Sequence, residues 1–383
     1  MMYMQDENFI QNIIDIRNIS PSTQDIYRIV VTKYTRQNNK SMVELIDEAE
    51  KEEEERIRWK KRTIRTRLLK FRSTLYNDYL KNTAKRYFTC ICTIYRHCEI
   101  EIGDFPPISE KNVKTTRTIN YQDLPDEEII KKALSIANIR ERAIILFIIS
   151  SGCGRTEVSN ITVQDYINAT SEYHNSNNIY EVLNILKDKE DVVPQFEIFR
   201  KKTHKYYITF CTPEAANAIN VHLVSKEKEI HNEDKLFNIS ASNMNYVFNV
   251  LNDKLALGKK GTYTRLRPHM LRKFHASRLH NAGMSIDKVD SLQGRSKNKV
   301  HTAYFLDDPA SLKEEYIRYM DAVMVEWNYK NLTYKSKEYL DLERDNLRKT
   351  KELNSLSSRL EDIESYIFKD LSKSDVEDME GWL

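Results

Sequence analysis

The sequence predicts a mainly α-helical protein with a small antiparallel β-sheet, arranged as two domains and a tail. Three observations lead there. Eight glycines and eight prolines punctuate 383 residues, too few for a turn-rich β architecture. Apolar residues recur at helical spacing through most of the chain. Only the stretch between Tyr180 and Phe210 has short β-prone runs separated by polar turns.

Ser20-Pro21-Ser22-Thr23 supplies a hydroxyl N-cap and a proline at N1, after which Ile26, Ile29, Val30 and Tyr34 keep near one face. Ser41 opens a second helix through Val43, Leu45 and Ile46, which runs into the acidic residues 48–55. A strongly basic third helix is expected over 56–79. A fourth, over 83–99, sets Tyr87, Ile91, Ile94 and Tyr95 at helical spacing. Gly103 and Pro106-Pro107 then interrupt regular structure. Residues 1–108 therefore read as a helical domain and 109–122 as a linker.

A second domain over 123–310 opens at Asp123-Leu124-Pro125-Asp126-Glu127-Glu128, which has capping character, and residues 141–149 read as a buried helix. The runs 182–186, 196–199 and 206–210 predict the small sheet. Helical texture returns at Pro213 and continues to Tyr304. Residues 311–383 form a helical tail. In it Leu353, Leu356, Leu360, Ile363 and Ile367 recur at three- and four-residue steps, which fits a short partner-binding coiled coil and a single amphipathic helix equally well.

The net charge of +3 conceals a strong asymmetry. Between Arg56 and Arg96 thirteen basic residues face one acid, Asp78, whereas the tail leans acidic. Arg58, Lys60, Lys61, Arg62, Arg65, Arg67, Lys70, Lys81, Lys85 and Arg86 are thus candidates for phosphate contacts, although a charge run can also be a solvated face. The N-terminal MMYMQDENF carries acid where an export signal would carry base, and no apolar run approaches membrane-spanning length. With five cysteines, the expectation is a reduced cytoplasmic, nucleoid-associated protein with no disulfide framework and no membrane partner. Cys90, Cys92, His97 and Cys98 suggest zinc only superficially: the first two point to different sides of a helix, and no second pair follows. No metal or cofactor is expected.

The chemistry lies in four boxes. His269-Met270-Leu271-Arg272 puts an imidazole and a guanidinium on one helical face, a pairing suited to a phosphodiester. Downstream come Leu292-Gln293-Gly294-Arg295 and then Tyr304, nine residues after Arg295. Upstream is Ser151-Gly152-Cys153-Gly154-Arg155-Thr156-Glu157-Val158, and between lie Phe199-Arg200-Lys201-Lys202-Thr203 and Lys205 to Phe210. Over about residues 123–309 this order and spacing resemble the tyrosine recombinase (phage integrase) family, closest in texture to integrases of archaeal viruses and plasmids. The first domain resembles their helical core-binding domain.

The resemblance implies a DNA breaking-rejoining catalytic domain and a site-specific recombinase or integrase that works through a covalent 3′-phosphotyrosine at Tyr304. It also implies double-stranded DNA as partner and a homotetramer on DNA, monomeric or dimeric off it. In that scheme Arg155, Arg272 and Arg295 stabilise the phosphate and His269 assists proton transfer from the phenol. Lys202, with Lys201 as substitute, protonates the departing 5′-oxygen, and Glu157 orients the first arginine.

Two residues depart from the pattern. The family arginine precedes the glutamate by three positions, where Gly154 stands, so Arg155 is one residue late. Arg295 stands where His or Trp is usual and cannot shuttle a proton. These departures leave room for a catalytically decayed DNA-binding relative, such as a repressor or accessory factor. A type IB topoisomerase-like relaxase would use the same chemistry.

Overall fold

The computed structural model describes residues 4–109, 113–115, 117, 119–295 and 308–326, which divide into two compact units, Met1–Thr118 and Ile119–Leu383. Tyr304 and the leucine seam at 353–367 lie outside the described residues.

The first unit is all helix: α1 (Met4–Arg17), α2 (Pro21–Asn38), α3 (Met42–Glu54), α4 (Thr63–Asp78) and α5 (Lys81–His97). Its core is formed by Ile10, Ile13, Val30, Tyr34, Leu45, Leu68, Phe71, Ile91 and Tyr95. Tyr95 and Tyr34 join their hydroxyls at 3.1 Å inside that core, which satisfies two buried polar groups at once. Ser41 opens α3 with a full capping box to Glu44. The basic helix starts later than its composition suggests. Arg56 takes a left-handed backbone (φ 56°), a short 3-10 turn covers Trp59–Lys61, and α4 begins only at Thr63. Helix α1, which the sequence reading did not anticipate, holds α3 through Asp6, whose carboxylate accepts the Met42 N–H at 2.7 Å. Cys90 and Cys92 belong to the core, and burial pushes their thiols up to about 12 and about 11.

The second unit is built around α7 (Ile139–Ser151), which is buried on every side from Ala143 to Ser151. Helices α6 (Glu127–Ile136), α8 (Arg155–Asn160), α9 (Val163–Ala169), α10 (Ile179–Leu186), α11 (Pro213–Val224) and α12 (Ala241–Lys254) belong to the same unit, with α6 and α11 packed directly on α7. They are followed by α13 (Pro268–Asn281), α14 (Ile286–Leu292) and α15 (Pro309–Tyr319). Strands β1 (Gln195–Arg200) and β2 (Lys205–Phe210) form an antiparallel hairpin in register from Gln195 opposite Phe210 to Arg200 opposite Lys205. The two-residue strands β3 (Lys259–Lys260) and β4 (Tyr263–Thr264) make a second, minimal hairpin.

The run at 182–186 is a helix, which corrects the strand expected there. Ile179, Val182, Leu183 and Leu186 are all buried and follow i, i+3, i+4, i+7 spacing, and the Asn178 side chain caps the Tyr180 N–H at 2.9 Å. The sheet is consequently two-stranded. No helix of the described residues is long and apolar enough to cross a membrane.

The segment after α15 returns to the core through Glu214. This buried carboxylate, in the first turn of α11, accepts the N–H groups of Val325 at 3.1 Å and Glu326 at 3.0 Å, while Arg142 pairs with the Glu326 side chain. Burial pushes Glu214 up to about 7; the two N–H donors oppose that shift and Glu326 adds to it. A carboxyl raised above its unfolded value stabilises most at low pH and loses that contribution as pH climbs through the folded value. Urea unfolding followed from about pH 4.5 to pH 7 should therefore show a decline that Glu214→Gln flattens; equal slopes in the two proteins would contradict the assignment.

Candidate active site

Pro268 fixes the first turn of α13, so His269 and Arg272 follow on one helical face. Arg272 is only 6% exposed. Its Nη1 donates to the Gly152 carbonyl at 2.6 Å and its Nη2 to the Gln293 carbonyl at 2.6 Å. No carboxylate of the described residues lies within ion-pair distance of it. A buried charge without a counter-charge costs several kcal/mol even when hydrogen-bonded. Such a cation is therefore preorganised for an anion.

Gly152 and Gln293 hold this arrangement. Gly152 ends α7 in a left-handed backbone (φ 65°), and a Cβ there would meet His275 Nδ1 at 2.5 Å and Gln293 Nε2 at 2.9 Å. Gln293 is fully buried; its side-chain amide donates to the Arg272 carbonyl and to His275 Nδ1, both at 2.9 Å. His275 is also fully buried and is pushed down to about 3 by burial first, then by Arg272 and Arg295. His275 lies outside the boxes read from sequence, and Gln293 lies inside one without a role assigned to it. The signal for His275 was its three-residue step from Arg272.

His269 stays exposed as a residue, yet it is pushed down to about 4. Partial withdrawal from water leads, followed by four cations: Arg267, Lys273, Arg272 and Arg295. The imidazole is therefore neutral at neutral pH and can accept a proton. Arg295 is exposed, with Nη1 3.0 Å from Asp290 Oδ1. Lys202 is exposed in the turn between β1 and β2.

The first box departs from the expected layout. Arg155 starts α8, is exposed and donates to the Ala241 carbonyl at 3.2 Å. Glu157 does not hold Arg155. It pairs instead with Arg200, at the end of β1, across 3.4 Å. Arg200 also donates to the carbonyls of Gln293, at 3.1 Å, and Gly294. The structure thus gathers His269, Arg272 and Arg295 with Glu157 and Arg200, and directs Arg155 toward α12.

In the first unit the basic candidates separate into two groups. Arg58, Lys60, Lys61, Lys70, Lys85 and Arg86 are exposed, and Arg65 and Lys81 are half-buried. Arg62 is 7% exposed, pairs with Glu53 and donates to the Ile57 carbonyl at 2.8 Å, while Arg67 pairs with Glu48. Those two charges are spent inside the fold, on acids of α3.

Residues 125–309 match the family model described as Phage integrase family. The chain is similar in fold to a lambda integrase tetramer bound to a Holliday junction, with TM-score 0.50 and 13% identity over 81% of this chain and 78% of that one. A Tn1549 transposon integrase in complex with transposon right end DNA aligns with TM-score 0.48 and 13% identity, over 81% of this chain and 98% of that one. No curated relative matches in sequence.

Two outcomes follow from the geometry. Gly152→Ala combines a left-handed backbone with a core collision, so urea unfolding should show a loss of about 2–4 kcal/mol. In the DNA-free protein, the His269 ring followed by NMR should remain neutral until pH falls toward about 4; a midpoint near the ordinary value of 6.5 would refute the cationic field around it.

Proposed function

We propose that this chain, with its phage integrase match over residues 125–309, is a site-specific DNA recombinase that cuts and rejoins strands through a covalent 3′-phosphotyrosine at Tyr304. The observation that carries this reading is the buried Arg272. It is held by two backbone carbonyls and flanked by a neutral His269 and further cations, with no carboxylate of the described residues against it. That is a receptor for one phosphodiester.

The chemistry follows from the groups. A phenol has an ordinary pKa of about 10 and is a poor nucleophile until it loses its proton. A field of guanidinium groups favours the phenolate, and the neutral imidazole of His269 can take the proton. The phenolate oxygen attacks phosphorus and the 5′-oxygen leaves, with Lys202 placed on the hairpin turn to protonate it. Arg272 and Arg295 stabilise negative charge gathering on the non-bridging oxygens. The phosphotyrosyl ester conserves the energy of the broken phosphodiester, so rejoining is the same step in reverse. Tyr304 is nine residues from Arg295, a tether that reaches at most about 30 Å.

The exposed cations of the first unit, Arg58, Lys60, Lys61, Lys70, Lys85 and Arg86, suit sequence-independent contacts to the DNA backbone. Recombination exchanges strands between two duplexes, so four copies assembled on DNA is the arrangement we infer. A nicked suicide duplex should trap a protein–DNA adduct on a denaturing gel. Tyr304→Phe should abolish it and EDTA should leave it unchanged. An adduct that survives in Tyr304→Phe would remove the assignment, and tight duplex binding without any adduct would point to a decayed DNA-binding relative.

A further inference from the structure

The first-box pattern calls for a cation at position 154, where Gly154 stands instead. Its backbone is ordinary and extended (φ −85°, ψ 166°), so its conformation does not demand glycine. The missing side chain leaves room for the movable end of Glu157: a Cβ at 154 would lie 2.2 Å from Glu157 Oε2, so the carboxylate folds back over that position. Arg155, the next residue, begins α8 and spends a donor on Ala241.

Arg200 approaches from the other side. It ends β1, and its Nε meets the Glu157 carboxylate at 3.4 Å. Its Nη1 donates to the Gln293 carbonyl at 3.1 Å and to the Gly294 carbonyl. The Gln293 oxygen also receives Arg272 Nη2 at 2.6 Å. Two guanidinium groups therefore converge on one carbonyl oxygen. Glu157 offsets the charge of Arg200, whereas Arg272 has no carboxylate of the described residues to offset it. The Nη2 of Arg200 has no hydrogen-bond partner among the described residues, and the side chain is 18% exposed, enough for a ligand atom to reach it.

We propose that Arg200 is the second guanidinium of the phosphate clamp, filling the role the sequence pattern assigns to the first-box arginine, and that Glu157 orients it. This rests on the recombinase reading and specifies which cations that reading uses. Arg200 makes and breaks no bond; it donates N–H groups to the non-bridging oxygens of the phosphodiester, as Arg272 does. The guanidinium has crossed from the helix α8 side of the pocket to the hairpin side, and the glutamate has kept it as a partner.

The test compares Arg200→Ala, Arg200→Lys and Arg155→Ala in the full chain. The substrate is a nicked duplex selected by the wild-type protein from a randomised pool. Removing a preorganised donor from a transition-state clamp costs about 100- to 1000-fold in rate, so single-turnover adduct formation should fall by that much in Arg200→Ala. Duplex affinity should stay within about threefold, since one phosphate contact among many is lost. Lysine should recover little, because it lacks the planar fork. Arg155→Ala should lose at least about tenfold less than Arg200→Ala. The reverse ranking overturns the proposal.

A second measurement does not depend on cleavage. Inorganic phosphate is titrated into protein carrying 15N-labelled arginine, and the Nε–H signals of Arg200 and Arg272 are followed. Both should move with one apparent Kd; Arg272 moving alone, or neither moving, overturns the proposal. A wild-type chain that forms no adduct defeats the recombinase reading, while the phosphate titration still decides the role of Arg200.

Discussion

The second unit depends on keeping one positive charge where it is costly to keep. Arg272 sits in the interior with its N–H groups on two carbonyl oxygens, those of Gly152 and Gln293, and no carboxylate of the described residues in ion-pair range. Backbone carbonyls can satisfy a guanidinium's N–H groups but bring no formal charge to neutralise it. The surroundings accordingly show several devices that fix those two carbonyls. Gly152 turns the end of α7 back with a left-handed backbone, His275 and Gln293 pack where its side chain would be, and Gln293 donates to the Arg272 carbonyl. Gly294 repeats the theme: it is left-handed (φ 57°), and a Cβ there would meet the Tyr207 ring at 2.4 Å. Three segments distant in sequence, the end of α7, the middle of α13 and the end of α14, are joined through these few atoms.

Such an anchor explains why the site is carried by buried helices. Helix α7 is wrapped on all sides, and the Tyr316 hydroxyl of α15 donates to the Ser150 carbonyl at 2.9 Å, two residues before Gly152. Rigid elements hold a cation cluster against its own repulsion better than loops can, because displacing Arg272 would also break two buried hydrogen bonds. The hairpin β1–β2 adds the remaining charges. Its register sets Arg200 opposite Lys205 at the closed end, beside the turn that carries Lys201 and Lys202.

Much of this was legible in the sequence where local chemistry decides the outcome. The helix start at Ser41, Pro21 at N1, the return of helix at Pro213 and the buried run inside α7 were legible from local sequence, and they form accordingly. His269 and Arg272 share a face because three residues separate them. What failed needed either a wider window or a distant partner. Residues 182–186 look β-prone by composition, but Ile179 completes a helical face that only appears when the window is widened. The basic run at 56–96 counted one acid against thirteen bases; Glu48 and Glu53, from the preceding helix, neutralise Arg67 and Arg62 across the bundle. In the first box, no spacing rule could reveal that Glu157 covers Gly154 and reaches Arg200 instead of Arg155, because that pairing joins residues 43 positions apart.

The same field that makes the pocket an anion receptor also governs its proton chemistry. Partial burial first, and then Arg267, Lys273, Arg272 and Arg295, hold His269 in its neutral form, down at about 4, when no anion is present. A base that weak accepts a proton poorly, which at first argues against a role for it. A phosphodiester seated on Arg272, however, brings a negative charge into that field and cancels part of the cationic contribution. The imidazole pKa then rises, while burial and the rest of the cationic contribution still hold it down. On the proposed reading, the imidazole would thus be strengthened as a proton acceptor by the phosphodiester it serves. An empty site keeps its imidazole weakly basic, and a filled one has both the compensated cations and the stronger base.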